Sequence, residues 1–301
     1  MMRTARRTAQ EMLDLILQVA REDENIRSVL MLGSRANPDC APDTYQDFDV
    51  CYFVRRVKPD YWDNMAWIEE KFGRPALIQR PESMELIPPD NDGSYIYLMI
   101  FPDGNRIDLQ VTEDPYVDDG EPAVLLLDKD GDFPEIAVKP DFWHVKKPGA
   151  KAFADCCNEF HWCLNNVAKA IAREELSLGM DMLNHYVRDM LVLMLSWYVG
   201  AAHEFKISVG KGGKYFQRLL PQEMYDSFRR TYSDAEYAHM WEASFEMLEL
   251  FGKAARSVAA QLGYAYDEAE EAGIREYMEM VRGGRLGPPP KTIPCPHPDM
   301  A

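Results

Sequence analysis

Near residue 150 the hydrophobic pattern of this 301-residue chain changes period, and that change limits its architecture more than any other feature. Before it, short apolar runs are punctuated by Gly, Pro, Asn and Asp. After it, apolar residues recur at helical spacing over long stretches. The first pattern builds short strands with a few helices, and the second builds a helical bundle. The expected fold class is therefore α+β. Residues 1–150 form a domain around a small mixed sheet, residues 151–285 a helical bundle domain, and residues 286–301 a Pro-rich tail with little order of its own.

Within the first part, residues 8–22 read as an amphipathic helix, "IRSVLMLGS" (26–34) as a buried strand and "FDVCYFV" (48–54) as a second. "DYWDNMAWIEEKFG" (60–73) is helical, with Gly73 as its stop. "PALIQR", "SYIYLMIFP" and "NRIDLQVT" follow as strands, the last two joined by the hairpin signal "PDGN" (102–105). A helical crossover combined with hairpins implies a mixed sheet rather than a doubly wound parallel one. Residues 113–150, rich in Asp, Gly, Pro and Lys, read as a connector with little regular structure. Helices are expected at 151–175, 179–203, 222–231 and 234–263.

Composition narrows the function classes. A formal charge of −17 argues against nucleic-acid binding, which needs basic surface; it is compatible with a small cationic substrate and equally with plain solubility. No run reaches the roughly 18 apolar residues of a membrane helix; Met190–Ala202 is too short. The N-terminal stretch is basic and then amphipathic, without the continuous apolar core of a signal peptide. Six cysteines show no C-x-x-C spacing, which fits reduced thiols. A cytoplasmic monomer that binds neither nucleic acid nor membrane is the expectation.

The chemistry is concentrated in "MLGSRANPDCAPDTYQDFDVCYFV" (31–54). Asp47 and Asp49 sit two residues apart at the head of an apolar strand. Residues i and i+2 of a strand share a face, about 6.5–7 Å apart, so both acids can reach one cation while Phe48 turns to the core. Buried carboxylates are costly unless paired or bound to metal. A third acid, Asp108, interrupts the strand "RIDLQV". If the two strands are neighbours, three acids converge, an arrangement suited to Mg²⁺ and phosphate oxygens. Gly33 permits close backbone approach, Ser34 offers a hydroxyl and an amide to a phosphate, and Arg35 adds charge or a structural ion pair.

The order of these elements is similar to that of polymerase-beta-type nucleotidyltransferases. "GSRANPD…YQDFDVCYFV" resembles, more narrowly, the catalytic motif of the aminoglycoside 6-adenylyltransferases, the bacterial streptomycin adenylyltransferases. The resemblance continues in "DCCNEFHWCLNNVAKAIAREEL" (155–176), "GKGGKYFQRLL" (210–220) and "MWEASFEMLELF" (240–251), and leaves out 113–135 and the tail. It implies AMP transfer from ATP to an aminoglycoside hydroxyl, conferring antibiotic resistance. It also implies that Asp47 and Asp49 hold Mg²⁺, that Ser34 contacts phosphate, and that Asp108 is a third metal carboxylate or the general base, with Glu85 as the competing base. Transfer to another hydroxyl acceptor, and a non-catalytic nucleotide-binding regulator, are the rival readings.

The helix around 153–173 has two faces. Phe153, Cys156, Cys157, Phe160, Leu164, Val167 and Ile171 form an apolar stripe. Asp155, Glu159, Trp162, Asn166, Lys169 and Arg173 form a polar one, acids first and bases last. That polarity is what the helix dipole favours on any exposed helix. The functional alternative gives Asp155, Glu159 and Trp162 to a polycationic sugar and Lys169 and Arg173 to the triphosphate. "GKGGK" (210–214) lacks P-loop spacing; it reads as a basic loop over phosphates or as a simple interhelical loop. His161 is placed as a residue able to face the substrate, the other histidines as structural.

Overall fold

The computed structural model describes residues 5–38, 40–58, 65–87, 93–114, 120–136, 139 and 141–287. The start of the helix expected at 60–73 and residues 288–301 of the expected tail lie outside the described residues. The chain divides into two compact units, Met1–Phe142 and Trp143–Ala301.

The first unit is α+β. Its sheet is built from β1 (Ile26–Met31), β2 (Phe48–Val54), β3 (Leu77–Gln79), β4 (Tyr95–Ile100), β5 (Arg106–Thr112) and β6 (Val124–Asp128), in the order β3-β4-β5-β2-β1-β6. All neighbours run antiparallel except β2 and β5, which are parallel. The mixed sheet expected from the hairpin and crossover signals is therefore present. Alternation decides its faces. Phe48, Val50, Tyr52 and Val54 of β2 and Ile107, Leu109 and Val111 of β5 point into one core with Met12, Ile16, Ile68 and Phe72. The last four belong to α1 (Ala9–Glu22) and α3 (Met65–Phe72), and a four-residue turn, α2 (Gly33–Ala36), follows β1. The buried Tyr52 hydroxyl donates to Ile16 O at 2.7 Å. Cys51 and Phe53 face the opposite side, with Leu30 and Phe133. A capping box between Thr8 and Glu11 starts α1.

The connector reading of 113–150 is corrected by β6, which pairs antiparallel with β1 at the sheet edge. Its Val124 and Leu125 are partly exposed and it shows no clean alternation, as an edge strand tolerates. Asp128 closes it by accepting amide hydrogens from Asp130, Gly131 and Phe133.

The second unit is helical. It comprises α4 (Ala150–Ala172), α5 (Leu176–Asp181), α6 (Arg188–Ala202), α7 (Phe216–Leu219), α8 (Gln222–Arg230), α9 (Tyr237–Leu262) and α10 (Glu268–Arg282). The helix expected at 179–203 carries a wide π-helical turn at Met182–Val187. The whole expected apolar stripe of α4 is buried, with Phe160 stacked on Phe251 at 3.8 Å. α10 was not expected; Asp267 caps it, accepting from the Ala269 and Glu270 amides. Among the described residues no helix is long and apolar enough to cross a membrane.

Candidate active site

β1 ends where its chain must turn past β2. Leu32 N donates to Asp49 O at 2.8 Å, and the next residue, Gly33, has φ +63°. A Cβ on Gly33 would lie 2.1 Å from Asp49 Oδ2. Glycine is required here twice over, by the left-handed backbone and by the carboxylate that fills the side-chain space. Gly33 and Ser34 are thereby set against Asp49.

Arg35 fixes this turn to the loop before β2. Its guanidinium donates to Asp47 O and Gln46 O, each at 2.9 Å, and lies 3.8 Å over the Phe48 ring. Gln46 returns a hydrogen bond to Ser34 O at 3.2 Å. These contacts are with backbone carbonyls and a ring and are not the ion pair expected of Arg35; they hold the Gly-Ser turn and the Asp-x-Asp strand in register.

The parallel pairing of β2 and β5 puts Asp49 directly opposite Asp108. Both lie on the face away from α1 and α3, because their neighbours Phe48, Val50, Ile107 and Leu109 are in the core. Asp47, just ahead of β2, completes the group through Arg106. That guanidinium takes both Asp108 oxygens, Nε to Oδ1 at 2.8 Å and Nη2 to Oδ2 at 2.6 Å. It also lies 3.3 Å from Asp47 Oδ2. Asp49 is left out, with no side-chain hydrogen bond or ion pair among the described residues. Burial and the charges of Asp108 and Asp47 push its carboxyl up to about 6. Burial raises Asp47 as well, against the pull of Arg106.

An all-carboxylate donor set, one member lacking any cation, suits a hard divalent ion such as Mg²⁺. Among the described residues no three His, Cys, Asp or Glu side chains form a ready-made metal cage. Arg106 is the residue that sequence reasoning passed over. The signal was there: it stands two residues before Asp108 on β5 and so shares its face.

The remaining expected residues have separate settings. Glu85 is exposed in the stretch after the turn Pro81–Ser83. On α4, Asp155 is exposed and paired with Lys151, Glu159 accepts from the Cys163 thiol at 3.2 Å, and Trp162 is 66% exposed. Lys169 is half-buried, and exposed Arg173 lies 4.0 Å from Glu175. His161 is not a surface residue. It is 2% exposed, between Glu270 at 3.2 Å and the Tyr266 hydroxyl at 3.4 Å, and burial lowers its pKa. The "GKGGK" segment forms a turn with Gly210, Gly212 and Gly213 at positive φ, and Lys214 and Arg218 flank the Tyr215 ring.

The comparisons with known proteins cover both units. The chain is 37% identical over 283 residues to an aminoglycoside 6-adenylyltransferase of Bacillus subtilis, covering 91% of this chain and 98% of that protein. It is 35% identical to one of Campylobacter jejuni, covering 88% and 93% respectively. A solved structure of an aminoglycoside 6-adenyltransferase from Bacillus subtilis matches with 33% identity and a TM-score of 0.45, over 92% of this chain and 99% of that one. The family model described as streptomycin adenylyltransferase matches residues 6–281, and the chain belongs to that family.

Proposed function

We propose that this protein transfers AMP from ATP to a hydroxyl of an aminoglycoside, with the 6-position of streptomycin as the site of transfer and antibiotic resistance as the outcome. The observation that carries this reading is the register pair Asp49–Asp108 beside the Gly33-Ser34 turn, in a chain whose relatives are named aminoglycoside 6-adenylyltransferases. In this reading residues 1–150 are the catalytic domain and residues 151–285 the substrate-binding domain, in a cytoplasmic monomer.

Asp47, Asp49 and Asp108 are the residues that would hold Mg²⁺. When bound, Mg²⁺ neutralises donor phosphate charge and orients the attacking and leaving oxygens. Ser34 donates its hydroxyl and amide to a donor phosphate, on a turn that Arg35 and Gln46 keep rigid. The acceptor oxygen attacks the α-phosphorus in line, the bond to the β-phosphate breaks, and pyrophosphate leaves. The hydroxyl proton passes to a carboxylate, Asp108 or its competitor Glu85. On α4, Lys169 and Arg173 are assigned to the triphosphate, and Asp155, Glu159 and Trp162 to the guanidinium groups and rings of the acceptor.

The test is pyrophosphate release from ATP by the purified protein, with and without streptomycin, alongside mass analysis of the antibiotic. Release that requires streptomycin and matches one adenylyl group per molecule is expected. Release with other acceptors only, or none at all, would sink the assignment.

A further inference from the structure

The reading above leaves unexplained why a site made of carboxylates holds an arginine among them. We infer that Arg106 is a placeholder cation: it pairs with Asp108 and reaches Asp47 while the metal is absent, gives them up when the metal binds, and is then free for the donor's phosphates. This rests on the assignment of the three acids to a divalent cation.

Arg106 and Asp108 are two apart on β5, so both side chains rise from the same face of the sheet. The guanidinium takes one lone pair from each Asp108 oxygen in a two-pronged contact at 2.8 and 2.6 Å, and reaches Asp47 at 3.3 Å. It is charged at any working pH and its pairing with Asp108 holds its pKa up further. A divalent ion using Asp47 and Asp108 would therefore share carboxylates with a fixed positive charge. Two like charges a few ångströms apart repel strongly in a partly desolvated site, so the two occupants exclude each other.

The pairing is also built to yield. The Arg106 side chain is 41% exposed and that of Asp108 20%, and ion pairs reached by solvent are weak. Arg106 is the first residue of β5, opposite Ile100 at the hairpin end of the sheet. Its side chain can swing away while its backbone stays paired. Asp49, with no side-chain partner among the described residues to lose, is the acid ready for the cation first. A guanidinium released beside the site is matched to phosphate oxygens, so metal and nucleotide should favour each other's binding, by the same factor in either direction.

The test is Mn²⁺ binding by the full chain, followed by the spectroscopic signal of free Mn²⁺, with and without a non-hydrolysable ATP analogue. Arg106→Gln should bind Mn²⁺ at least about threefold more tightly than wild type without nucleotide, the scale of a half-exposed ion pair. The analogue should improve Mn²⁺ affinity less in that variant than in wild type. In ¹⁵N-arginine-labelled wild type, the Arg106 Nε–H resonance should move toward the free-arginine position as Mg²⁺ is added. Unchanged or weaker Mn²⁺ binding in Arg106→Gln, with Asp49→Asn losing it, would overturn the placeholder role alone; so would an Arg106 resonance that stays put at saturating Mg²⁺. If Asp49→Asn binds Mn²⁺ like wild type, the metal assignment falls and this inference with it.

Discussion

Each unit packs a carboxylate against a glycine, and the two acids are treated differently. In the helical unit, a Cβ on Gly252 of α9 would lie 2.5 Å from Glu271 Oε2. That oxygen accepts from Arg256 at 2.6 Å and from the Tyr266 hydroxyl at 2.7 Å, while Arg275 approaches Oε1 at 3.4 Å. Glu271 is 6% exposed and fully partnered. In the sheet unit, Gly33 makes the same kind of room for Asp49, yet among the described residues no side chain donates to it, and the charges of Asp108 and Asp47 act on it more than those of Arg106 and Arg35. A buried carboxylate with donors on both oxygens belongs to the fold. One that is desolvated, surrounded by like charge and left without a partner stores a cost that only a ligand removes, and such groups cluster at functional sites.

The sharpest way to break this contrast is to neutralise Asp49. Asp49→Asn should lower the turnover of AMP transfer by at least about 10³-fold, about 4 kcal/mol of barrier, because an amide cannot balance a divalent cation. Steady-state kinetics decides it: retention of more than about a tenth of wild-type kcat would make Asp49 a bystander.

Asp108 sharpens the same side. As the base, Asp108→Asn should cost roughly 10²- to 10⁴-fold in kcat with nucleotide affinity largely kept. Should Glu85→Gln show that pattern instead, the base is Glu85. A large loss of nucleotide affinity in Asp108→Asn would make Asp108 a metal ligand.

For the helical unit the expectation reverses. Glu271→Ala should destabilise the protein by about 2 kcal/mol, read from the denaturant midpoint, since it takes the 2.7 Å acceptor from the Tyr266 hydroxyl, while Arg256 keeps Glu268 and Arg275 keeps Glu249. Glu271→Gln, which still accepts hydrogen bonds, should lose less. Turnover per folded molecule should stay at the wild-type level in both. A catalytic defect without a stability defect would dissolve the distinction between the two acids.

Much of this was legible in the residues. The Asp-x-Asp alternation put Phe48 in the core, the "PDGN" turn joined β4 to β5, and the apolar stripe of α4 is buried throughout. What escaped did so for physical reasons. β6 is an edge strand set among Asp, Gly and Pro, so neither alternation nor flanking marked it. α10 begins "EAEEAG", whose acids read as solvated chain, although Asp267 as cap and acids in the first turn are how a helix N-terminus is written. His161 sits at the margin of the apolar stripe, and only the Glu270 and Tyr266 that meet it, more than a hundred residues away, show it to be interior. The i, i+2 spacing of Arg106 and Asp108 was readable on β5, but the contact of Arg106 with Asp47, just ahead of β2, depends on strand order, which periodicity does not carry.

The exposed acids of α4 offer a smaller effect. Among the described residues Asp155 and Glu159 are partnered locally, by Lys151 and Cys163. If they bind the guanidinium groups of streptomycin, Asp155→Ala or Glu159→Ala should raise its KM about tenfold, near 1.4 kcal/mol, with the KM for ATP nearly unchanged. Wild-type streptomycin affinity in both variants, measured by calorimetry, would return this face to a solvated helix obeying its dipole.

The smallest effect is the one that reads the Asp49 cost directly. Its carboxyl titrates near 6 in the folded protein, against about 4 in an unfolded chain. Between those values the folded state holds the extra proton, so wild-type stability is lost as pH rises from about 4 to 6, and the full penalty persists above that. At 1.36 kcal/mol per pH unit the ceiling is about 3 kcal/mol. Solvent reaching the group, with Arg106 and Arg35 nearby, brings the expectation down to about 1 kcal/mol. In the absence of metal, Asp49→Asn should thus match wild type below pH 4 and exceed it by about 1 kcal/mol at pH 7–8, measured as a shift in urea midpoint at each pH. Adding Mg²⁺ should then raise the wild type and leave the variant where it was, because a ligand stabilises only the fold that binds it. A variant no more stable than wild type at pH 8 would mean that Asp49 is as well accommodated as Glu271, and that the difference between the two glycine-backed acids carries no stored cost.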